Sequence, residues 1–359
     1  MNSTTLIPSL ENVSAEWLSG LLRNAGHSDA KVLSFDHTTV GTGQVAKCVR
    51  FEMEVESSDL DIPKTLIGKF SSDNPVSRQT ASEISLYRNE ITFYREFQPG
   101  LSISTPKCYF AEIADNNSDF ALVMSDMYPA AQGNQLEGCS VELVRKAVSE
   151  LVGLHAPTWC NDELLINPLT EPSQANLDAE KKRYQTCIEP FLERFGPTLS
   201  DRQVDILRQL GSSSKPLFTP EQRVYALTHG DYRLDNMLIS PDRDDPVLTV
   251  VDWQTIKSGN PLSDVAYFIA SSLAPEVRKV VEQELVETYH RGLISAGVES
   301  YGWDDCWRDY RRGSLAGFTI MVVAAVSVKR TERGDTMFQL MIDRFTQQAL
   351  ELAANELLE

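Results

Sequence analysis

The hydrophobic pattern of this chain changes once, near Tyr128, and that change limits its fold more than any other feature. Upstream the pattern is that of strands. Val45–Val55 alternates, with the valines, Phe51 and Met53 on one face, as a half-buried strand requires. Val32–Val40 is a looser strand, and Gly41-Thr42-Gly43-Gln44 forms a hairpin-like turn between the two. Thr65–Phe70 and Phe120–Met124 supply further strands. Between them Ile84, Tyr87, Ile91 and Tyr94 recur at helical steps, predicting one helix over Ala81–Phe97 that Pro99-Gly100 stops. Beyond Tyr128 helical patterns dominate, apart from a short β element around Tyr225–Trp253. Strands first and helices after predict an α+β fold rather than a doubly wound sheet.

The densest cluster of chemically capable residues lies in that β element. The strand ending at Thr228 runs into His229-Gly230-Asp231-Tyr232-Arg233-Leu234-Asp235-Asn236, and Met237–Ser240 resumes as a strand. Pro241–Pro246 forms a turn, and Val247–Val251 leads back to Asp252. With Ser240 opposite Val247, antiparallel register sets Asn236 opposite Val251, which brings Asp252 beside the Asn236 amide. Oxygen donors of this kind suit Mg²⁺, which keeps waters and takes phosphate oxygens at its other positions. Asp231 is left to accept a proton from an attacking hydroxyl, as phosphoryl transfer requires.

The run His229-Gly-Asp231-x-x-x-x-Asn236 with a later Asp252 resembles the aminoglycoside phosphotransferase and choline kinase superfamily. In detail it is most similar to the ecdysteroid-kinase-like branch. The resemblance covers Gly41 to the last helices and implies a two-lobed protein-kinase-like fold. It implies residues 1–128 as a nucleotide-binding lobe built on an antiparallel sheet with one helix. Residues 129–359 would be a helical lobe carrying the catalytic loop, metal site and substrate pocket. The activity implied is transfer of the γ-phosphate of ATP to a small-molecule hydroxyl. Asp231 would be the base, and Asn236 and Asp252 would hold Mg²⁺.

Other residues fill the remaining parts. Lys69 shares a strand face with Ile67 and should point into the covered side of the sheet, where an ammonium needs a partner. Glu83 and Glu90 are the candidates, and the resemblance favours Glu90, with Lys69 on the nucleotide phosphates. An exposed edge lysine is the plainer alternative. Gly41 and Gly43 would let backbone N–H groups approach phosphate, although an ordinary hairpin turn has the same composition. Ser125 and Met127 fall where the family presents backbone groups to adenine. Arg233 would steady charge on the transferred phosphate or else form an ion pair with Asp235. Asp264 resembles an aspartate that props the catalytic loop and could equally cap a helix. His155 and His229 read as hydrogen-bonded structural histidines.

Composition narrows the partners. A formal charge of -18 over 359 residues, with no Lys/Arg-rich run, disfavours nucleic acid and anionic membrane surfaces. It leaves room for a cationic acceptor, although solubility alone accounts for it. The six cysteines show no CxxC pair, and no secretory signal opens the chain, so the expected compartment is the cytoplasm. Gly313–Val328 is apolar but too short to span a bilayer and reads as a buried helix. Trp303, Asp304, Asp305, Trp307 and Asp309 would hold an amine or simply form an amphipathic helix. Two rival readings are a nucleotide-binding pseudokinase scaffold and a metal-dependent hydrolase. Retention of Lys69, Asp231, Asn236 and Asp252 argues against the first, and scarce nearby histidines against the second.

Overall fold

The computed structural model describes residues 7–41, 45–167, 169–171, 173–213, 224–242 and 245–358. It divides into two compact units. One comprises Met1–Gly100, Thr105–Ala130 and Val251–Thr255; the other comprises Leu101–Ser104, Ala131–Val250 and Ile256–Glu359.

In the first unit, α1 (Ala15–Asn24) begins at Ser14, whose hydroxyl accepts the Trp17 N–H. Strands β1 (Lys31–Thr39), β2 (Ala46–Glu56) and β3 (Thr65–Ser71) follow, then α2 (Pro75–Glu83), α3 (Leu86–Thr92), β4 (Cys108–Ile113) and β5 (Phe120–Ser125). The five strands form one antiparallel sheet in the order β1-β2-β3-β5-β4. Leu18, Leu21 and Leu22 of α1 sit at helical spacing and bury against Val49, Phe51, Met53, Leu66 and Phe70. Gly68 is dictated by that packing: a Cβ there would lie 2.6 Å from the Phe51 ring and 2.7 Å from that of Phe70. The opposite face of β3 carries Lys69, which is buried as expected.

The single helix expected over Ala81–Phe97 is instead two helices followed by a π-helical turn at Phe93–Phe97. Asn74 caps α2, with Pro75 at its first position, so a separate helix starts upstream. It ends where Ser85 takes a left-handed conformation, φ 59°. Ile84 therefore leaves the stripe and is exposed, while Tyr87, Ile91 and Tyr94 are buried. The π turn changes the angular step and buries Phe93 as well.

The second unit contains β6 (Ala131–Gln132), α4 (Val141–His155), α5 (Glu163–Ile166), α6 (Gln174–Phe195) and α7 (Asp201–Ser212). Four short strands come next: β7 (Ala226–Thr228), β8 (Met237–Ile239), β9 (Leu248–Val250) and β10 (Lys257–Gly259). Five helices close it: α8 (Leu262–Ser272), α9 (Pro275–Ser295), α10 (Trp303–Gly313), α11 (Ala316–Ser327) and α12 (Glu332–Glu351). Phe191, Phe195, Leu207, Phe318, Val322, Met341 and Phe345 share one of its hydrophobic cores. The apolar run after Gly313 becomes α11, 12 residues long, packed in this core. Among the described residues no helix is long and apolar enough to cross a membrane.

The hairpin has the register expected from its turn. Met237 pairs with Val250, Leu238 with Thr249 and Ile239 with Leu248, and the Ser240 N–H donates to the Val247 carbonyl 2.9 Å away.

Candidate active site

In the second unit the loop between β7 and β8 is held from beneath by Asp264 on α8. Its carboxylate accepts the His229 N–H at 2.7 Å and the Gly230 N–H at 3.0 Å. Gly230 has φ +81°, a conformation that favours glycine, so both amides turn onto one carboxylate. The capping alternative does not apply, because Asp264 lies inside the first turn of α8 and spends its oxygens on the loop. His155 Nε2 is 3.4 Å from Asp264 Oδ2, and its Nδ1 is 2.7 Å from the Tyr289 hydroxyl. Burial pushes the Asp264 carboxyl up, but hydrogen bonding and charge from His155, with His229 adding, bring it below the ordinary value. His229, fully buried, accepts the Asp231 N–H on Nδ1 at 3.2 Å.

Asp231 stands at the loop's bend. Oδ1 accepts from the Tyr267 hydroxyl at 2.8 Å; Oδ2 accepts from Arg233 Nε at 3.0 Å and Asn236 Nδ2 at 2.9 Å. A carboxylate has about four lone-pair sites, so these three bonds leave one, on Oδ1. Arg233 reaches Asp235 Oδ2 as well, at 2.8 Å, so the ion pair weighed for it forms with both carboxylates. Burial disfavours its charge, but Asp231, Tyr267 and Asp235 more than offset that and keep it protonated. Asp235 also accepts from Arg333 on α12 at 2.9 Å. The Asn236 amide nitrogen is committed to Asp231, which leaves its Oδ1 as an acceptor without a partner among the described residues.

In the first unit Lys69 Nζ lies 2.7 Å from Glu90 Oε2 and 3.0 Å from Asp252 Oδ1. Burial works against the ammonium, and Asp252 and Glu90 outweigh it, raising the Lys69 pKa. Glu83 is not part of this group; it is exposed and bonds to Gln79. Segment 252–254 is fixed on α3 and the π turn: Gln254 donates to Glu90 at 3.1 Å, Asn89 donates to the Gln254 carbonyl at 2.9 Å, and Trp253 stacks on Phe93 at 3.6 Å. Asp252 itself has φ 67°, a conformation uncommon outside glycine that marks an over-determined position. Its side chain stays 41% exposed.

Of the glycine turn, Gly41 is described, with φ +76°; Gly43 lies outside the described residues. A cavity of about 220 Å³ is bordered by Gly41, Val40, Cys48, Ser72 and Asn74. At the other end of the sheet, the Ser125 N–H goes to the Lys107 carbonyl and the Met127 carbonyl receives the Ala130 N–H. No hydrogen bond holds the Met127 N–H among the described residues.

Residues 41–298 match the ecdysteroid kinase-like family, a span that takes in both groups of residues described above. The chain belongs to the ecdysteroid kinase-like family. Its fold is the kinase-like one. It is similar to a choline kinase from Cryptosporidium parvum (TM-score 0.57, 10% identity, 96% of this chain and 98% of that one). It is also similar to a protein of Ralstonia eutropha described as an aminoglycoside phosphotransferase (TM-score 0.54, 14% identity, 94% and 98%). In sequence it is 46% identical over 123 residues to mouse acyl-CoA dehydrogenase family member 10, covering 31% of this chain and 11% of the mouse protein. The chain thus spans about a tenth of that curated relative.

Within this ecdysteroid kinase-like chain, three partners escaped sequence reasoning. Tyr267 on Asp231 and Arg333 on Asp235 come from helices 36 and 98 residues away in sequence, and nothing local marks them. The third, Arg50, pairs with Asp126. Of the residues weighed as an amine site, Trp303 stacks on Trp307 and Trp307 on the buried Tyr310 along α10, and only Asp304 is exposed. Tyr301, Trp159, Glu299 and Asp309 border a cavity of about 300 Å³ beside it, and burial raises the Asp309 carboxyl.

Proposed function

We propose that this chain is an ATP- and Mg²⁺-dependent phosphotransferase acting on a small-molecule hydroxyl, with Asp231 as the base. The observation that carries the reading is the Lys69 ammonium held between Glu90 and Asp252. A buried cation fixed by two carboxylates on a sheet face is costly as mere scaffolding and useful against phosphate oxygens. Membership of a family named for kinases supports the same reading.

In donor chemistry each of the two residues proposed for magnesium suits it. Asn236 offers an amide oxygen and Asp252 a partly exposed carboxylate, both hard oxygen donors, and Mg²⁺ needs only one or two carboxylates with waters and phosphate. No group of three His, Cys, Asp or Glu side chains gathers among the described residues, as a closed hydrolytic metal centre would require. Bound Mg²⁺-ATP supplies the phosphoryl group and neutralises its charge.

Asp231 receives the acceptor's hydroxyl proton on Oδ1, the oxygen with a lone pair to spare. Tyr267, Arg233 and Asn236 prevent the carboxylate from rotating, and Asp264 fixes the backbone from which it projects. Lys69 orients phosphate oxygens, and Glu90 keeps the ammonium from swinging away. The Met127 N–H is a donor suited to a base edge. The acceptor enters as a small molecule that carries the attacking hydroxyl.

Calorimetric titration with ATP, with and without Mg²⁺, tests the nucleotide half of this reading. Binding that strengthens with Mg²⁺ and weakens in Asp252→Ala supports it. Absence of ATP binding by the wild type overturns it.

A further inference from the structure

Four side chains of alternating charge run inward through the second unit to the base: Arg333, Asp235, Arg233 and Asp231. Arg333, in the first turn of α12 and 54% exposed, grips Asp235 with both ends of its fork. Its Nη2 donates to Asp235 Oδ1 at 2.9 Å and its Nη1 to Oδ2 at 3.2 Å. Two bonds of this kind fix the plane of a carboxylate as well as its place. Asp235 Oδ2, aimed in this way, accepts from Arg233 Nη1, and Arg233 Nε reaches Asp231 Oδ2. Met337, four residues after Arg333 and on the same face of α12, sets its sulfur 3.1 Å from Arg233 Nη1.

The backbone of the loop is held without Arg333. Gln135 donates its N–H to Asp235 Oδ1 at 3.1 Å and takes the Leu234 N–H on its side-chain oxygen at 3.0 Å. Gln132 donates to the Asp235 carbonyl at 2.5 Å, and Asp264 secures the other end of the loop at His229 and Gly230. Among the described residues, what Arg333 supplies is a second cation for Asp235, after Arg233.

Arg233 therefore stands between two carboxylates that compete for it. With Arg333 in place, the charge of Asp235 is met from the far side and Arg233 stays shared with Asp231. Without Arg333, the Asp235 charge, on a side chain only 8% exposed, falls on Arg233 alone and draws the guanidinium off Asp231 Oδ2. Asp231 then loses one of its three donors and turns from the orientation that presents Oδ1. A misplacement of about 1 Å in a reacting group is enough to cost about 100-fold in rate. We propose that Arg333 is a positioning residue for phosphoryl transfer, acting through Asp235 and Arg233 to hold the Asp231 carboxylate in its working orientation. The assignment rests on the phosphotransferase reading above.

The test is steady-state turnover of Mg²⁺-ATP by the full chain, read as ADP release with water and with pooled amino-alcohols, sugars and sterols as acceptors. In that step the acceptor oxygen bonds to the γ-phosphorus as the bond to ADP breaks, and the acceptor's proton passes to Asp231. Arg333→Met keeps the stem and removes the charge. It is expected to lower kcat about tenfold, the scale of one hydrogen bond to a charged group, with KM for ATP within about twofold. Arg333→Lys returns the charge without the fork and is expected to recover about a third of the wild-type rate. On an Asp235→Asn background, where the competing charge is gone, Arg333→Met is expected to cost less than about twofold more. Circular dichroism checks that each variant folds. An unchanged kcat in Arg333→Met overturns the proposal, as does a lysine variant no faster than the methionine one. A full loss on the Asp235→Asn background overturns it by taking the effect off Asp235, and a rise in KM for ATP with kcat kept does so by placing Arg333 in nucleotide binding. A wild type that turns over no Mg²⁺-ATP with any of these acceptors removes the phosphotransferase reading, and the positioning role with it.

Discussion

The Lys69 ammonium and the Glu90 carboxylate meet at 2.7 Å with both side chains almost wholly withdrawn from water. Glu90 also accepts from Gln254, and Asp252 takes the second side of the ammonium, so the pair is one node of a network within its unit.

Lys69→Met tests that node. Removing one partner of a buried pair leaves an uncompensated charge, at a cost of about 3–5 kcal/mol. The expected result is a marked fall in thermal midpoint together with at least tenfold weaker Mg²⁺-ATP binding, read by calorimetry. Glu90→Gln/Lys69→Met should recover much of the stability and none of the nucleotide affinity.

Tyr267→Phe removes one donor from Asp231 and nothing else of size. Turnover is expected to fall about tenfold, the worth of one hydrogen bond to a charged group, with KM for ATP within about twofold. A rise in KM for ATP with kcat little changed would place Tyr267 in nucleotide binding instead.

Asp264 makes stability depend on pH in a defined direction. Its folded pKa is depressed, so its contribution is complete above the unfolded value of about 3.9 and is lost as pH falls through the folded one. Asp264→Asn keeps the shape but turns an amide nitrogen toward one of two backbone N–H groups. The wild type should exceed this variant in thermal midpoint near pH 7, and the gap should shrink steadily below about pH 4. A gap independent of pH would mean that the charge of Asp264 contributes nothing.

Much of this was legible in the sequence, for reasons particular residues show. Lys69 shares a strand face with Ile67 because strand side chains alternate, and it is buried as that reading expects, on the face opposite Val49 and Phe51. The six-residue turn between Ser240 and Val247 fixed the hairpin register without any knowledge of the rest. The break at Ser85 was not legible, since a left-handed serine has no signature and Ile84 continues the helical spacing. Strand β4 and helix α1 went unread for want of clean periodicity at β4 and because α1 precedes the first strand signal. Arg50 with Asp126, and Tyr267 with Asp231, are pairs made by tertiary structure alone, 76 and 36 residues apart.

The most direct test of the central claim is a phosphoryl-transfer screen comparing wild type with Asp231→Asn. Each would be incubated with Mg²⁺-ATP and a panel of amino-alcohols, sugars, sterols and aminoglycosides, with phosphorylated product scored by mass. The proposed reading expects a product from the wild type and a rate at least about 100-fold lower in Asp231→Asn, with ATP affinity retained. Near-normal turnover in Asp231→Asn would contradict its role as the base, and a wild type that transfers phosphate to no member of the panel while binding no ATP would contradict the account as a whole.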